Sequence, residues 1–150
     1  MTTANNLVKI DASAETDGGT IALTVAGSAL DAATPVPILT GGSGSDSLTI
    51  NAAGALTLDA TELATITSFE TWTLGSNQTY SVTLADANNA AGLTVNASAA
   101  SAATIDGAAE SNQALTATGS GGADTLTGGG GADSLTGGGL MTFSPNFTQA

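Results

Sequence analysis

The chain has 150 residues and a formal charge of −12, set by 13 acidic side chains against a single basic one, Lys9. That balance excludes nucleic acid as a partner, because nothing neutralises phosphate, and argues against anionic membrane surfaces. With no Cys and no His, disulfides, zinc sites and His-based catalysis are excluded as well.

The start, Met1 to Asn6, has neither a basic region nor an apolar run, so no secretory signal peptide is expected there and an export signal would lie elsewhere or be non-cleaved. Residues 1–19 read as a polar N-terminal arm with one apolar patch, Leu7 to Ile10. Asp11, Ser13, Glu15 and Asp17 alternate and would share one face of an extended backbone. The glycine that follows comes two positions late for an EF-hand, so the arm reads as a solvated acidic edge. Thr20 to Val25 alternates as a strand does. Residues 26–37, with Pro35 and Pro37, read as a loop, and Ile38 to Thr40 leads into a glycine-rich stretch.

From Leu48 the sequence becomes a ladder of apolar pairs: Leu48/Ile50, Leu56/Leu58, Trp72/Leu74, Val82/Leu84, Leu93/Val95, Ala103/Ile105 and Leu115/Ala117, then Leu126 and Leu135. Gly, Asn, Asp, Ser and Ala separate them, without long hairpin signals. Short strands at near-regular spacing predict an all-β fold, a parallel β-solenoid or β-roll with irregular coils over residues 20–139. An antiparallel sandwich is the alternative. Leu, Ile, Val and Phe make up about a fifth of the chain, which suits a thin core one or two side chains wide. Trp72 and Tyr80 read as core or edge fillers. One short helix is expected at Asp59 to Ile66, where Asp59 and Glu62 have capping-box spacing and β-branched residues limit its length. The Ala-rich residues 97–104 and 107–110 let neighbouring coils pack closely. The tail, 140–150, carries Met141, Phe143 and Phe147, and is expected to cap the open end of the coil, to form a docking surface or to serve as an export signal. No stretch approaches a membrane span.

Gly119 to Gly139 repeats with a period of nine: Gly119-Ser120-Gly121-Gly122-Ala123-Asp124-Thr125-Leu126-Thr127, then Gly128 to Thr136 with Asp133 and Leu135 in register. A third copy, Gly41 to Thr49, carries Asp46 and Leu48. Calcium is a hard cation that takes about six to eight oxygens, backbone carbonyls included, and glycines let carbonyls turn inward around an ion. The candidate ligands are Asp46, Asp124 and Asp133, with the backbone of Gly41, Ser43, Gly119, Gly121, Gly128 and Gly130. A flexible Gly/Ser linker has no reason to hold Asp and Leu at fixed offsets three times over.

These nonapeptides resemble the calcium-binding repeats of RTX proteins. The segment Thr67-Ser68-Phe69-Glu70-Thr71-Trp72-Thr73-Leu74, downstream of a G-G-x-G-x-D motif, looks like one common in the surface-layer (S-layer) proteins built from such repeats. The resemblance covers residues 38–139, with RTX-type turns at 41–49 and 119–139. It implies a secreted, Ca2+-dependent β-solenoid exported unfolded by a type I pathway. It also implies that an ion lies between one loop and the next loop on the same side, two nonapeptides on. From Asp124 that position is Thr142, and from Asp46 it is Ala64. Asp106 stands at the same offset before Asp124 but lacks the glycines. The motifs are therefore half-sites, to be completed by Asp106, Glu110 or loop carbonyls, or by a neighbouring copy.

The expected function is structural: an extracellular, cell-surface, calcium-binding protein that self-associates into a layer or filament, and not an enzyme. The alternatives are a calcium-dependent adhesin or binding module, with cell-surface polysaccharide as a further partner, and the non-catalytic C-terminal domain of a type I secreted enzyme. Thr-x-Thr steps at Thr71/Thr73 and Thr116/Thr118 are too sparse for an ice-binding face. Without His no Ser/His/Asp set can form, and the carboxylates read as solvated or calcium-bound rather than as a glycosidase pair. Glycosylation sequons at Asn77, Asn96 and Asn146 are expected by chance in so Ser/Thr-rich a chain.

Overall fold

The computed structural model describes residues 9–31, 36–89, 91–111, 113–139 and 141–143. Along these the strands are β1 (Lys9–Asp11), β2 (Ala22–Ala26), β3 (Ile38–Thr40), β4 (Ser47–Asn51), β5 (Leu56–Leu58), β6 (Ile66–Thr67), β7 (Thr71–Leu74), β8 (Thr79–Thr83), β9 (Leu93–Asn96), β10 (Ala102–Asp106), β11 (Leu115–Thr118), β12 (Asp124–Thr127), β13 (Ser134–Thr136) and β14 (Met141–Phe143). They form three sheets: β1-β3-β6, β2-β4-β7-β9-β11-β13 and β5-β8-β10-β12-β14. Every pairing among them is parallel. The expected all-β class holds, and the antiparallel sandwich is overturned. Sequence neighbours cannot pair in parallel without a crossover, so each strand passes to another sheet and pairs with one a layer away. From β7 onward the chain alternates between the six- and five-stranded sheets.

The layer step shortens along the chain. In the six-stranded sheet the first step runs from Leu23 to Leu48, whereas the last runs only from Ala117 to Leu135. The connections outside the two larger sheets absorb the difference. They include β1, β3 and β6 in the early layers. Above β6 comes a 3-10 turn, Asp86–Asn89, held by two bonds from Asn88 Nδ2, to the carbonyls of Leu63 and Ile66, each 2.7 Å. Residues 107–111 follow, and then the glycine turn 128–131, whose Gly130 N–H donates to Glu110 O at 2.7 Å.

Period-two alternation builds the core. In β4, β7, β9 and β11 the inward residues are Leu48/Ile50, Trp72/Leu74, Leu93/Val95 and Leu115/Ala117, all buried. Parallel register stacks them, so Leu48 lies beside Trp72, Trp72 beside Val95, and Val95 beside Ala117. The five-stranded sheet stacks Leu58, Val82, Ile105 and Leu126 in the same way. These side chains form one contiguous cluster from Val25 to Leu126, each buried Leu, Ile or Val contributing about 1.5–3 kcal/mol. Trp72 and Tyr80 are both in it, fully buried.

The expected helix is α1 (Ala60–Leu63). Asp59 Oδ1 accepts from Thr61 and Glu62 N–H at 2.8 and 3.0 Å, and Glu62 Oε2 accepts from Asp59 N–H at 2.9 Å, completing the capping box. Leu63 anchors the turn in the core with no exposure.

Two boundaries differ from expectation. Residues 9–19 are not an appended arm. Ile10 has an apolar neighbour to pair with, Leu39, and β1 joins β3 in register with it. The chain then turns, with Glu15 N–H donating to Ala12 O at 2.8 Å, so Asp11, Ser13, Glu15 and Asp17 do not share an extended face. At the other end β14 pairs with β12, carrying the ladder beyond residue 139. Residues 140 and 144–150, including Phe147 and the Asn146 sequon, lie outside the described residues. No described helix is long and apolar enough to cross a membrane.

Candidate functional site

The three motif aspartates occupy equivalent places. Asp46 stands immediately before β4, Asp124 opens β12 and Asp133 stands immediately before β13. Each carboxylate divides its oxygens in the same way. One oxygen accepts the N–H four residues back in its own turn: Gly42 to Asp46 at 2.6 Å, Ser120 to Asp124 at 2.8 Å, Gly129 to Asp133 at 2.8 Å. The other accepts an N–H at the start of a strand one layer below: Ile21 to Asp46 at 2.7 Å, Ala103 to Asp124 at 2.8 Å, Leu115 to Asp133 at 2.9 Å. Ser120 Oγ adds a bond to Asp124 at 2.8 Å.

The physical reason lies in the strand ends. A buried N–H at a ladder's start needs an acceptor, and an ionised carboxylate supplies a short, charge-assisted one. Asp46 and Asp124, 1% and 2% exposed, thus stitch each layer to the one before. Glu70, immediately before β7, does the same with a bond from Asp46 N–H at 2.7 Å. Sequence reasoning passed over Glu70. The available signal was its position just before a Thr-Trp-Thr-Leu strand, as Asp46 precedes Ser-Leu-Thr-Ile.

These carboxylates do not meet. Asp46 and Asp133 both lead into the six-stranded sheet, but β7, β9 and β11 lie between their strands, and Asp124 leads into the five-stranded sheet. Among the described residues no three acidic side chains gather closely enough to hold a metal ion by themselves. Asp106 does not stack with Asp124. The local step runs from Ile105 to Leu126, so Asp106 pairs with Thr127, and its Oδ1 accepts Ala108 N–H at 3.0 Å. The stretch of chain between them is longer than the nonapeptide spacing assumes. At the next step Asp124 pairs with Met141, and Thr142 falls beside Thr125.

The motif backbone positions serve close approach. Gly41, Gly119 and Gly128 each lie against the carboxylate of their own motif's aspartate, and Gly130 against the carbonyl of Ser111. Gly121 faces open space. Ser43 acts as a donor, its N–H and Oγ reaching Glu15 Oε2 at 3.0 and 3.3 Å. Beside this turn lies a hollow of about 250 Å3, lined in part by Gly42, Ser68, Glu70 and Asn88, with Ser68 in the left-handed region at φ 57°.

A second acidic group sits in residues 107–111, beyond the 3-10 turn Asp86–Asn89. Glu110 is 2% exposed, and its carboxyl faces the Asn89 amide without a well-formed hydrogen bond to either oxygen. Asn89, 1% exposed, has an unpartnered Oδ1, while its Nδ2 reaches Ala114 O at 3.4 Å. Burial pushes the Glu110 carboxyl up to about 7; the Asn89 amide beside it opposes this, and the charges of Asp86 and Asp133 reinforce it. Asp86 stands on the exposed rim and accepts Ser111 N–H and Oγ, both at 2.8 Å and both on Oδ1. Those bonds hold its carboxyl below the usual range.

No family model, no curated protein and no solved structure matches this chain.

Proposed function

We propose that the three parallel sheets are the sides of one β-solenoid, and that the protein is an extracellular structural component that joins copies of itself into a layer or filament, with Ca2+ as its ion. The supporting observation is the pair of strand edges that each sheet presents. In the six-stranded sheet β2 and β13 are the outermost of the described strands, both parallel. A parallel edge is complementary to the opposite edge of another copy, and such head-to-tail contacts generate open filaments. Calcium is the counter-ion that 13 acidic side chains and one basic one call for. At the RTX-like turns it would draw on oxygens of Asp46, Asp124 and Asp133 that already accept amides. The test is sedimentation velocity in calcium and in chelator. Large species that revert to monomer on chelation are expected; one unchanged size in both conditions would overturn the reading.

A second reading, a binding module of the ice-binding kind, draws on the outward face of the six-stranded sheet. Register there aligns Ala22, Ser47, Thr71, Thr94, Thr116 and Ser134 in one file, and Thr24, Thr49, Thr73, Asn96, Thr118 and Thr136 in a second. The sparse Thr-x-Thr steps of the sequence thus become uncharged ranks across six strands. Thermal hysteresis in the wild type that is lost in Thr73→Lys would favour this reading; its absence would leave the files as ordinary strand surface, where Thr is favoured in any case.

A further inference from the structure

Two aspartates in the chain stand directly before a glycine: Asp17 before Gly18, and Asp106 before Gly107. At such a step the backbone nitrogen of the glycine can attack the aspartate's own carboxyl, because no Cβ obstructs the approach. The fold treats the two steps differently.

Asp106 is the last residue of β10, and Gly107 N–H donates to Thr127 O at 2.9 Å, continuing the ladder. Gly107 is buried, and a Cβ there would come within 2.7 Å of a Leu115 methyl carbon. Asp106 Oδ1 is occupied by Ala108 N–H at 3.0 Å. Neither the nitrogen nor the carboxyl is at liberty. Asp17 and Gly18, by contrast, are exposed in the connection between β1 and β2. Gly18 has a φ of 81°, and a Cβ there would meet nothing within 4 Å. Its N–H donates to Ser43 Oγ at 3.3 Å, longer than an ordinary hydrogen bond. Glu15 Oε1 accepts from both Asp17 N–H and Gly19 N–H, at 2.9 and 2.8 Å. Two N–H groups so close in sequence reach one oxygen only if the chain between them bends tightly. Asp17 Oδ1 stands 3.5 Å from the place of a Cβ on Gly19, so the carboxyl curls forward over that bend, toward the side on which the Gly18 nitrogen lies.

We propose that Asp17 is a site of spontaneous covalent modification, converting to isoaspartate through a cyclic imide with Gly18, and that the fold protects Asp106 from the same reaction. Gly18 N bonds to Asp17 Cγ, and the hydroxyl of the Asp17 carboxyl leaves with the Gly18 amide proton as water. Solvent water then adds at Asp17 C and breaks its bond to Gly18 N. One water is released and one consumed, and nothing is oxidised or reduced. The main chain afterwards runs through Cβ and Cγ, one atom longer, and the α-carboxyl becomes the side chain. The longer link cannot keep both N–H groups on one Glu15 oxygen, and it displaces Gly19 O, which stands against Gly44. The modification therefore loosens the first glycine turn from the chain that underlies it. Neither calcium nor assembly enters this inference.

The experiment ages the full chain, native and separately unfolded in urea. Isoaspartate is read at each position by isoaspartyl methyltransferase labelling and by fragment-ion mass spectrometry that separates the two linkages. In urea both Asp17 and Asp106 should label. In the native chain Asp17 should still label, with Asp106 at least about tenfold slower, since Gly107 N is freed only when the ladder opens. Asp17→Ala should abolish the native label. The aged, labelled fraction should melt at a lower temperature than fresh chain. Equal native rates at the two positions, no native label at Asp17, or a label that survives Asp17→Ala would each overturn the site. Melting unchanged by the label would overturn the loosening of the turn.

Discussion

Gly44 and Gly54 separate a glycine that the layers require from one that they merely accommodate. A Cβ at position 44 would sit inside the contact radius of the Gly19 carbonyl oxygen, which is backbone of the neighbouring layer, whereas at position 54 it would meet nothing within 4 Å. Gly44→Ala should destabilise by about 1–3 kcal/mol through overpacking. Gly54→Ala should be neutral or gain about 0.4–1 kcal/mol by restricting the unfolded chain. Urea midpoints compare the two, and equal shifts would contradict the close stacking. Glu15 offers a test by pH. Hydrogen bonding with the Asp17 side chain, then the Gly19 and Ser43 N–H groups, holds its carboxyl down to about 2 from 4.5. A depressed carboxyl stabilises the fold above its ordinary value and loses that contribution as pH falls through the depressed one. Wild type should therefore lose melting temperature between about pH 4.5 and 2 more steeply than Glu15→Gln. Parallel melting curves would show that the contacts on the Ser43 turn carry no weight.

At the scale of elements, local rules and layer packing share the work. The capping box closes α1 with backbone bonds that exist without any neighbour, and the helix is only four residues long. Asp59→Ala should cost about 1 kcal/mol, measurable by denaturant unfolding; no loss would mean that Leu63 burial alone holds the turn. The strands run from two to five residues, too short to stand unpaired, and each contributes two inward side chains at most. The predicted apolar pairs locate them well because alternation is local. β1 and β6 were missed because each offers one large apolar residue, Ile10 and Ile66, and becomes a strand only beside β3.

For the whole molecule, the stack has two ends, and under the assembly proposed above the ends are the reactive surfaces. Thr24 on β2 and Thr136 on β13 are exposed, on the outermost described strands of the six-stranded sheet. A lysine on an edge strand is a common device against edge pairing. Thr24→Lys and Thr136→Lys should each leave the circular dichroism spectrum unchanged and abolish the large species seen by sedimentation in calcium. Assembly that survives both would rule out growth through these edges.

Much was legible in the chain itself. Alternating pairs such as Leu48/Ile50 and Leu93/Val95 determined strands, the Asp59/Glu62 spacing determined the α-helical turn, and the nonapeptides determined tight glycine turns with an aspartate at each strand start; the pair Val82/Leu84 is out of step, since β8 ends at Thr83 and buries Tyr80 and Val82. All of these depend on residues within a few positions of one another. Only the tertiary structure decided what those residues face. A step that shortens at every layer brings Leu23, Leu48, Trp72, Val95, Ala117 and Leu135 into one stack, and no fixed period in the sequence announces it. The same uneven steps carry Asp106 away from Asp124 and gather scattered Thr and Ser into two files. They also close Gly129 over Glu110 beside Asn89. Parallel register is set by the side chains packed inside each layer and by the loop length left over, and neither is known until the layers are stacked.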